Sequence, residues 1–130
     1  MLFNLLNCAI FAFILVGVAL RHRRDLHAKM MLTAFALDLA LLLAVEFSNA
    51  AVAEAFRSVT SDGGDGRAIT LIHVAFAASG LVMWFPQLWS GRKIWKQGRM
   101  ELLPGHALRA KLFLVLRLGN VVTAFMLPGS

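Results

Sequence analysis

Four apolar segments, each about as long as a lipid bilayer is thick, constrain the fold of this chain most strongly. They comprise residues 2–20, 28–52, 69–89 and 108–127. A helix needs about 20 mostly apolar residues to cross a hydrocarbon core of roughly 30 Å. A soluble domain of 130 residues has no interior large enough to hide a composition that is 59% hydrophobic. We therefore predict an all-α fold, a polytopic membrane four-helix bundle formed by residues 1–130 as a single transmembrane domain.

The first apolar segment has features of a retained helix. A secretory signal peptide carries its positive charges ahead of the apolar stretch and ends at a small-residue cleavage site. Here the charges come afterwards, in the run Arg21-His22-Arg23-Arg24. We therefore expect the segment to remain in the protein as a membrane-crossing helix.

The charges between the segments predict an orientation. Basic residues dominate the connections near residues 21–29 and 91–111, whereas the connection near residues 53–68 is mixed. Cytoplasmic loops of membrane proteins carry an excess of lysine and arginine. We therefore expect loops 1–2 and 3–4 on the cytoplasmic side, both termini outside, and a multi-pass protein of the cell inner (cytoplasmic) membrane. The net charge of +6 is then explained by contact with the lipid bilayer, and no nucleic-acid partner is expected.

Two charged residues lie deep within apolar segments. Asp38 follows His27 by eleven residues, and Arg117 follows His106 by the same spacing. Eleven residues make about three helical turns, which places each pair on one face and the two charges at similar depth. Because an unpaired charge in a bilayer is costly, we predict a buried Asp38–Arg117 ion pair. Such a pair is compatible with a proton path, a propionate anchor, a ligand-orienting network, or a purely structural lock on helix register.

The histidines are the candidate ligands. His27 and His106 should face each other at the inner boundary, whereas His73 should lie toward the outside with Glu46. Imidazole binds haem iron, copper and zinc, so His27, His73 and His106 are the predicted cofactor-binding and metal-binding residues. His73 is equally compatible with a packing role.

Either of two cofactors would suit the inner pair. A haem between the two imidazoles would find arginines for its propionates, and a copper ion would find the thioethers of Met30 or Met31 beside His27. No nucleophile elbow, phosphate loop or dinucleotide fingerprint occurs in the chain. We therefore assign no catalytic residue and favour a protein that is not an enzyme.

Three short stretches carry a family resemblance. Residues 21–34 (RHRRDLHAKMMLTA), 72–77 (IHVAFA) and 105–109 (GHALR) resemble the YozB/CtaM-type family of small four-helix membrane proteins, long carried as a domain of unknown function. The matched positions include His27, His73 and His106. The chain departs from the family at Val45-Glu46-Phe47, where a tyrosine and histidine are usual. It also departs at residues 116–120, where a tryptophan and tyrosine usually precede Thr-Gly.

The resemblance implies a role around cytochrome oxidase, because some members of the family are tied to making that enzyme. The expected function is a membrane accessory protein of a respiratory chain, an assembly factor or a haem- or copper-handling factor for a terminal oxidase. Its partners would be other membrane proteins of a respiratory complex. A small cytochrome b-like electron carrier, a non-catalytic scaffold subunit and a proton or solute conduit are the alternatives.

Overall fold

The computed structural model describes residues 2–49, 57 and 64–127, and this part of the chain is helical apart from short turns. The helices are α1 (Leu2–Ala19), α2 (Arg24–Asn49), α3 (Gly64–Gln97) and α4 (Leu103–Met126), with a single 3-10 turn at Met100–Leu102. No strand occurs among the described residues. The all-α prediction is therefore confirmed for the described part, and most of the connection near residues 53–68 lies outside it.

The four helices form a ring around one apolar core. Helix α1 lies beside α2 and α4, and α3 lies beside the same two helices. Ile14 of α1, Trp84 of α3 and Phe113 of α4 are buried together in the centre. The rings of Trp84 and Phe113 are 4.7 Å apart between centroids, a distance typical of favourable aromatic packing. Side chains from all the helices thus contribute to a single bundle.

The turns at one end of the bundle explain where the helices begin and end. Asp25 lies in the first turn of α2, where a negative charge favours the helix dipole. Gly98 adopts a φ of 65°, and its N–H bonds to the carbonyl of Ile94 at 3.2 Å. This left-handed glycine ends α3, and Pro104 then occupies one of the first positions of α4.

Four helix boundaries lie four residues or more outside the expected ones. Helices α3 and α4 begin at Gly64 and Leu103, before the expected residues 69 and 108. Helix α2 begins at Arg24, before the expected residue 28, and α3 continues to Gln97, past the expected residue 89. The apolar pattern in the sequence ends where the hydrocarbon core would end. A helix, however, continues past that point until a residue that favours another backbone conformation ends it. With 34 residues, α3 is roughly 51 Å long, so it is longer than a hydrocarbon core is thick.

The end that contains the turns also collects the basic residues. Trp95 near the end of α3 donates its indole N–H to Asp25 at the start of α2. This bond joins the α1–α2 helix pair to the α3–α4 helix pair. We call this end, formed by residues 20–29 and 91–109, the basic end. Both His27 and His106 belong to it.

Three of the described helices are long and apolar enough to cross a membrane, over Leu2–Ala19, Arg24–Val45 and Ala68–Gln97. This indicates a membrane protein. Helix α4 has 24 residues, which is sufficient length, but Arg109, Lys111 and Arg117 lie within it. Its outward face is nevertheless apolar, with Leu108, Leu112, Val115, Val122 and Phe125 all exposed. Whether α4 can also cross a membrane thus depends on how the charge of Arg117 is neutralised.

Candidate functional site

Arg117 is buried and pairs with Asp38 across the bundle. Its side chain is 5% exposed, and that of Asp38 is 13% exposed. The Nη2 atom of Arg117 donates to Asp38 Oδ1 at 2.7 Å, and its Nε donates to Oδ2 at 3.3 Å. This two-pronged geometry is the strongest that an arginine and a carboxylate can adopt. The structure thus brings together the two charges that the spacing from the histidines placed at equal depth.

Three neutral side chains complete the network around the ion pair. Trp84 of α3 donates its indole N–H to Asp38 Oδ2 at 2.9 Å. Arg117 donates from Nη1 to the Asn7 Oδ1 of α1, and the Asn7 amide donates to Asn120 Oδ1 at 3.0 Å. The network therefore includes side chains from all four helices.

This network is fully satisfied. No buried side-chain nitrogen or oxygen among the described residues lacks a hydrogen-bond partner. An ion pair whose buried atoms all have partners within the bundle penalises any shift in helix register, because either charge left alone would be costly. We therefore assign a structural role to the Asp38–Arg117 network.

His27 lies in the first turn of α2 and is fixed by α1. Its Nδ1 is 2.7 Å from the carbonyl oxygen of Gly17. Since a carbonyl can only accept, Nδ1 carries the proton and Nε2 keeps its lone pair. Gly17 also lets α2 pack closely against α1 at this level, because a Cβ there would overlap the terminal methyl group of Met31.

His106 is fixed by the same chemistry from α3. Its Nδ1 is 2.7 Å from the hydroxyl of Ser90, which is fully buried. That hydroxyl donates to the carbonyl of Pro86 at 2.9 Å, so it accepts from His106 and leaves Nε2 with the lone pair. A Cβ at Gly91 would lie 3.3 Å from His106 Cε1, so the absence of a side chain there leaves room beside the ring.

Gln87 and Arg109 hold the first turns of α4 against α3. Gln87 donates to the backbone carbonyl of His106 at 3.1 Å and accepts from Arg109 Nε at 3.0 Å. His106 precedes the apolar segment 108–127, and burial lowers the pKa of its imidazole. His27, when it is protonated, and the Arg109 guanidinium lower this pKa further. The His106 ring is therefore held neutral, the form that binds metals.

His73 is also held through its Nδ1 by a side chain of a neighbouring helix, but far from His106. Its Nδ1 is 2.8 Å from the hydroxyl of Thr123, which donates to the carbonyl of Gly119 at 2.7 Å. Thr123 is seventeen residues beyond His106, or roughly 25 Å along the helix. The histidines thus form an inner pair and a distant third member. The side chains of Glu46 and Asn49, expected near His73, lie outside the described residues.

The three histidines share one property that matters for chemistry. Each has its Nδ1 held by a partner on another helix, and within the described part of the chain no hydrogen bond engages the Nε2 of His27 or His106. Metal-binding histidines are oriented in this way by their second nitrogen. Within the described ranges, no three His, Cys, Asp or Glu side chains come close enough to hold a metal. A metal at the inner pair would therefore take its further ligand from another residue type.

Several members of these sites were not identified from the sequence. Asn7 and Trp84 were not predicted as partners of the ion pair, nor Ser90 and Gln87 as partners of His106. A polar residue within an apolar segment, such as Asn7, was the available signal. No protein family, curated protein or solved structure matches the chain. The geometry of the site therefore carries the functional argument.

Proposed function

We propose that this protein is an accessory protein of a respiratory chain that holds copper or haem for a terminal oxidase. The ligands would be His27 and His106 at the basic end. One observation carries the proposal: in both residues a fixed acceptor takes the Nδ1–H, so that each Nε2 is available to a metal. The two rings are also near enough to influence each other electrostatically.

The proposed setting is the cell inner membrane, crossed four times, with the basic end in the cytoplasm and both termini outside. Two observations support the fourth crossing. Arg117 is neutralised by Asp38 inside the bundle, and, apart from Lys111, the side of α4 that faces away from the bundle presents large exposed apolar residues. Lys111 is exposed but lies within the first turns of α4, from which its long side chain can reach the membrane surface.

Copper is the better-supported cargo. Met30 and Met31 lie against Gly17, the residue whose carbonyl orients His27. Two imidazoles and a thioether are a ligand set that suits Cu(I). A haem would need a hollow between the imidazoles. In the described part of the chain, two open grooves of about 310 and 290 Å³ are lined by residues other than His27 and His106.

The test is a binding titration of the full chain purified in detergent. Under anaerobic, reducing conditions, we expect one Cu(I) per chain, measured by metal analysis after gel filtration. The variants His27→Gln and His106→Gln should each abolish stoichiometric binding. His22→Gln provides a matched control, because His22 is an exposed histidine of the same end, and it should bind as the native chain does.

A parallel titration with haemin separates the alternatives. A strong Soret band that is lost in His27→Gln or His106→Gln would replace the copper proposal with the cytochrome b-like carrier. If neither copper nor haem binds, both ligand proposals are wrong. The second candidate, a non-catalytic scaffold subunit that holds partners of a respiratory complex, would then stand. The saturated network that joins all four helices favours that candidate.

A further inference from the structure

An open groove lies at the turn between α1 and α2. It has a volume of about 310 Å³ and is lined by Arg23, Arg24, Asp25 and Leu26. Backbone hydrogen bonds hold the turn, from Arg21 N–H to Val18 O at 3.1 Å and from Arg23 N–H to Leu20 O at 2.9 Å. The groove is therefore built on a defined backbone.

The groove carries a net positive charge. Arg23 and Arg24 are exposed, and neither forms an ion pair within the described part of the chain. The acid beside them, Asp25, accepts the indole N–H of Trp95. Arg21 does not line the groove, and its Nη1 donates to the carbonyl of Val18 at 3.3 Å. Two guanidinium groups thus remain available to one ligand.

The surroundings place the groove at the level of lipid headgroups. Trp89 and Trp95 lie at the same end on α3, with Lys93 Nζ 5.0 Å from the centre of the first ring and Lys96 Nζ 3.8 Å from that of the second. Tryptophans concentrate at the boundary between headgroups and acyl chains. Leu26 is 36% exposed and continues from the groove onto the apolar outer face of α2.

We propose that this groove binds the phosphate of an anionic phospholipid headgroup. Arg23 and Arg24 would donate to the phosphate oxygens, and an acyl chain would lie along Leu26 and the outer face of α2. Arginine forks match phosphate geometry, and basic pockets at the cytoplasmic ends of membrane helices bind anionic lipids. Inorganic phosphate presents the same oxygens without the acyl chain. This site is independent of His27 and His106.

The experiment uses the full chain in a zwitterionic detergent and measures bound lipid by native mass spectrometry. Phosphatidylglycerol should bind in preference to phosphatidylcholine of the same chain length. Arg23→Gln/Arg24→Gln should weaken phosphatidylglycerol binding about 30-fold, since each arginine near an anionic surface contributes about one kcal/mol. Arg92→Gln/Lys93→Gln removes the same charge from the same end but outside the groove, and it should leave binding unchanged.

Two further arms make the result decisive. Asp25→Asn keeps an acceptor for Trp95 but removes the negative charge from the groove, and it should tighten phosphatidylglycerol binding about fivefold. Inorganic phosphate at millimolar concentration should not displace the lipid. Equal losses in the two double variants, no gain in Asp25→Asn, or displacement by phosphate would each overturn the proposal.

Discussion

Replacing Arg117 should destabilise the bundle strongly, because it leaves Asp38 buried without its partner. Arg117→Met removes both guanidinium bonds to Asp38, at 2.7 and 3.3 Å, and the bond to Asn7. Among the described residues, the Trp84 indole would remain the sole donor to the carboxylate. Breaking a buried ion pair by removing one partner costs about 3–5 kcal/mol. We expect a loss of that size in the free energy of unfolding.

The double variant tests the reasoning behind this magnitude. Asp38→Asn alone leaves the Arg117 charge uncompensated and should also destabilise by about 3–5 kcal/mol. In Asp38→Asn/Arg117→Met no charge remains, so its loss should be far smaller than the sum of the single losses.

Reversible unfolding in mixed micelles of mild detergent and dodecyl sulfate, followed by circular dichroism, measures all three variants. Lys111→Met removes a positive charge from an exposed position on the same helix and should change stability by less than about 0.5 kcal/mol. If Arg117→Met were as stable as that control, or if the double variant lost the sum of the single losses, the ion pair would not be holding the bundle.

Three further outcomes follow from the packing and the histidine geometry. Gly119→Ala should lower the unfolding free energy by about 1–3 kcal/mol, because its Cβ would lie 2.6 Å from the Phe76 ring; Gly80→Ala, with nothing within 4 Å, is the neutral comparison in a thermal melt. Ser90→Ala should weaken Cu(I) binding about 10–100-fold through loss of the contact that orients His106, measured by competition with a Cu(I) chelator. Burial keeps the pKa of His106 below its ordinary 6.5, so the unfolded chain binds the proton more readily than the folded chain does. The free energy of unfolding should therefore fall as the pH drops below 6.5. In unfolding curves collected across this pH range, His106→Gln should flatten the dependence.

The fold class was predictable because a bilayer imposes a length and a composition on each helix. The same constraint made the depth of Asp38 and Arg117 predictable. If two helices start at one end and rise equally per residue, equal spacing from His27 and His106 means equal depth. Such counting needs no knowledge of which face each helix presents.

Predicting the hydrogen-bond partners of the histidines would have required knowing which face each helix presents to its neighbours. Ser90 reaches His106, and Gly17 reaches His27, only because of how each helix is rotated about its axis. Hydropathy carries no information about that rotation. The hydropathy pattern placed the end of the third membrane-crossing segment near Trp89. Helix α3 nevertheless continues to Gln97, because only Gly98 supplies the backbone conformation that ends it.

We propose that the Nε2 atoms of His27 and His106 bind the same metal ion. X-ray absorption at the copper edge of the Cu(I)-loaded, full-length protein in detergent counts the imidazole ligands directly. We expect two imidazoles in the native chain and in His73→Gln, and fewer than two in His27→Gln or His106→Gln. A spectrum without imidazole scattering, or one unchanged by both inner substitutions, would contradict it.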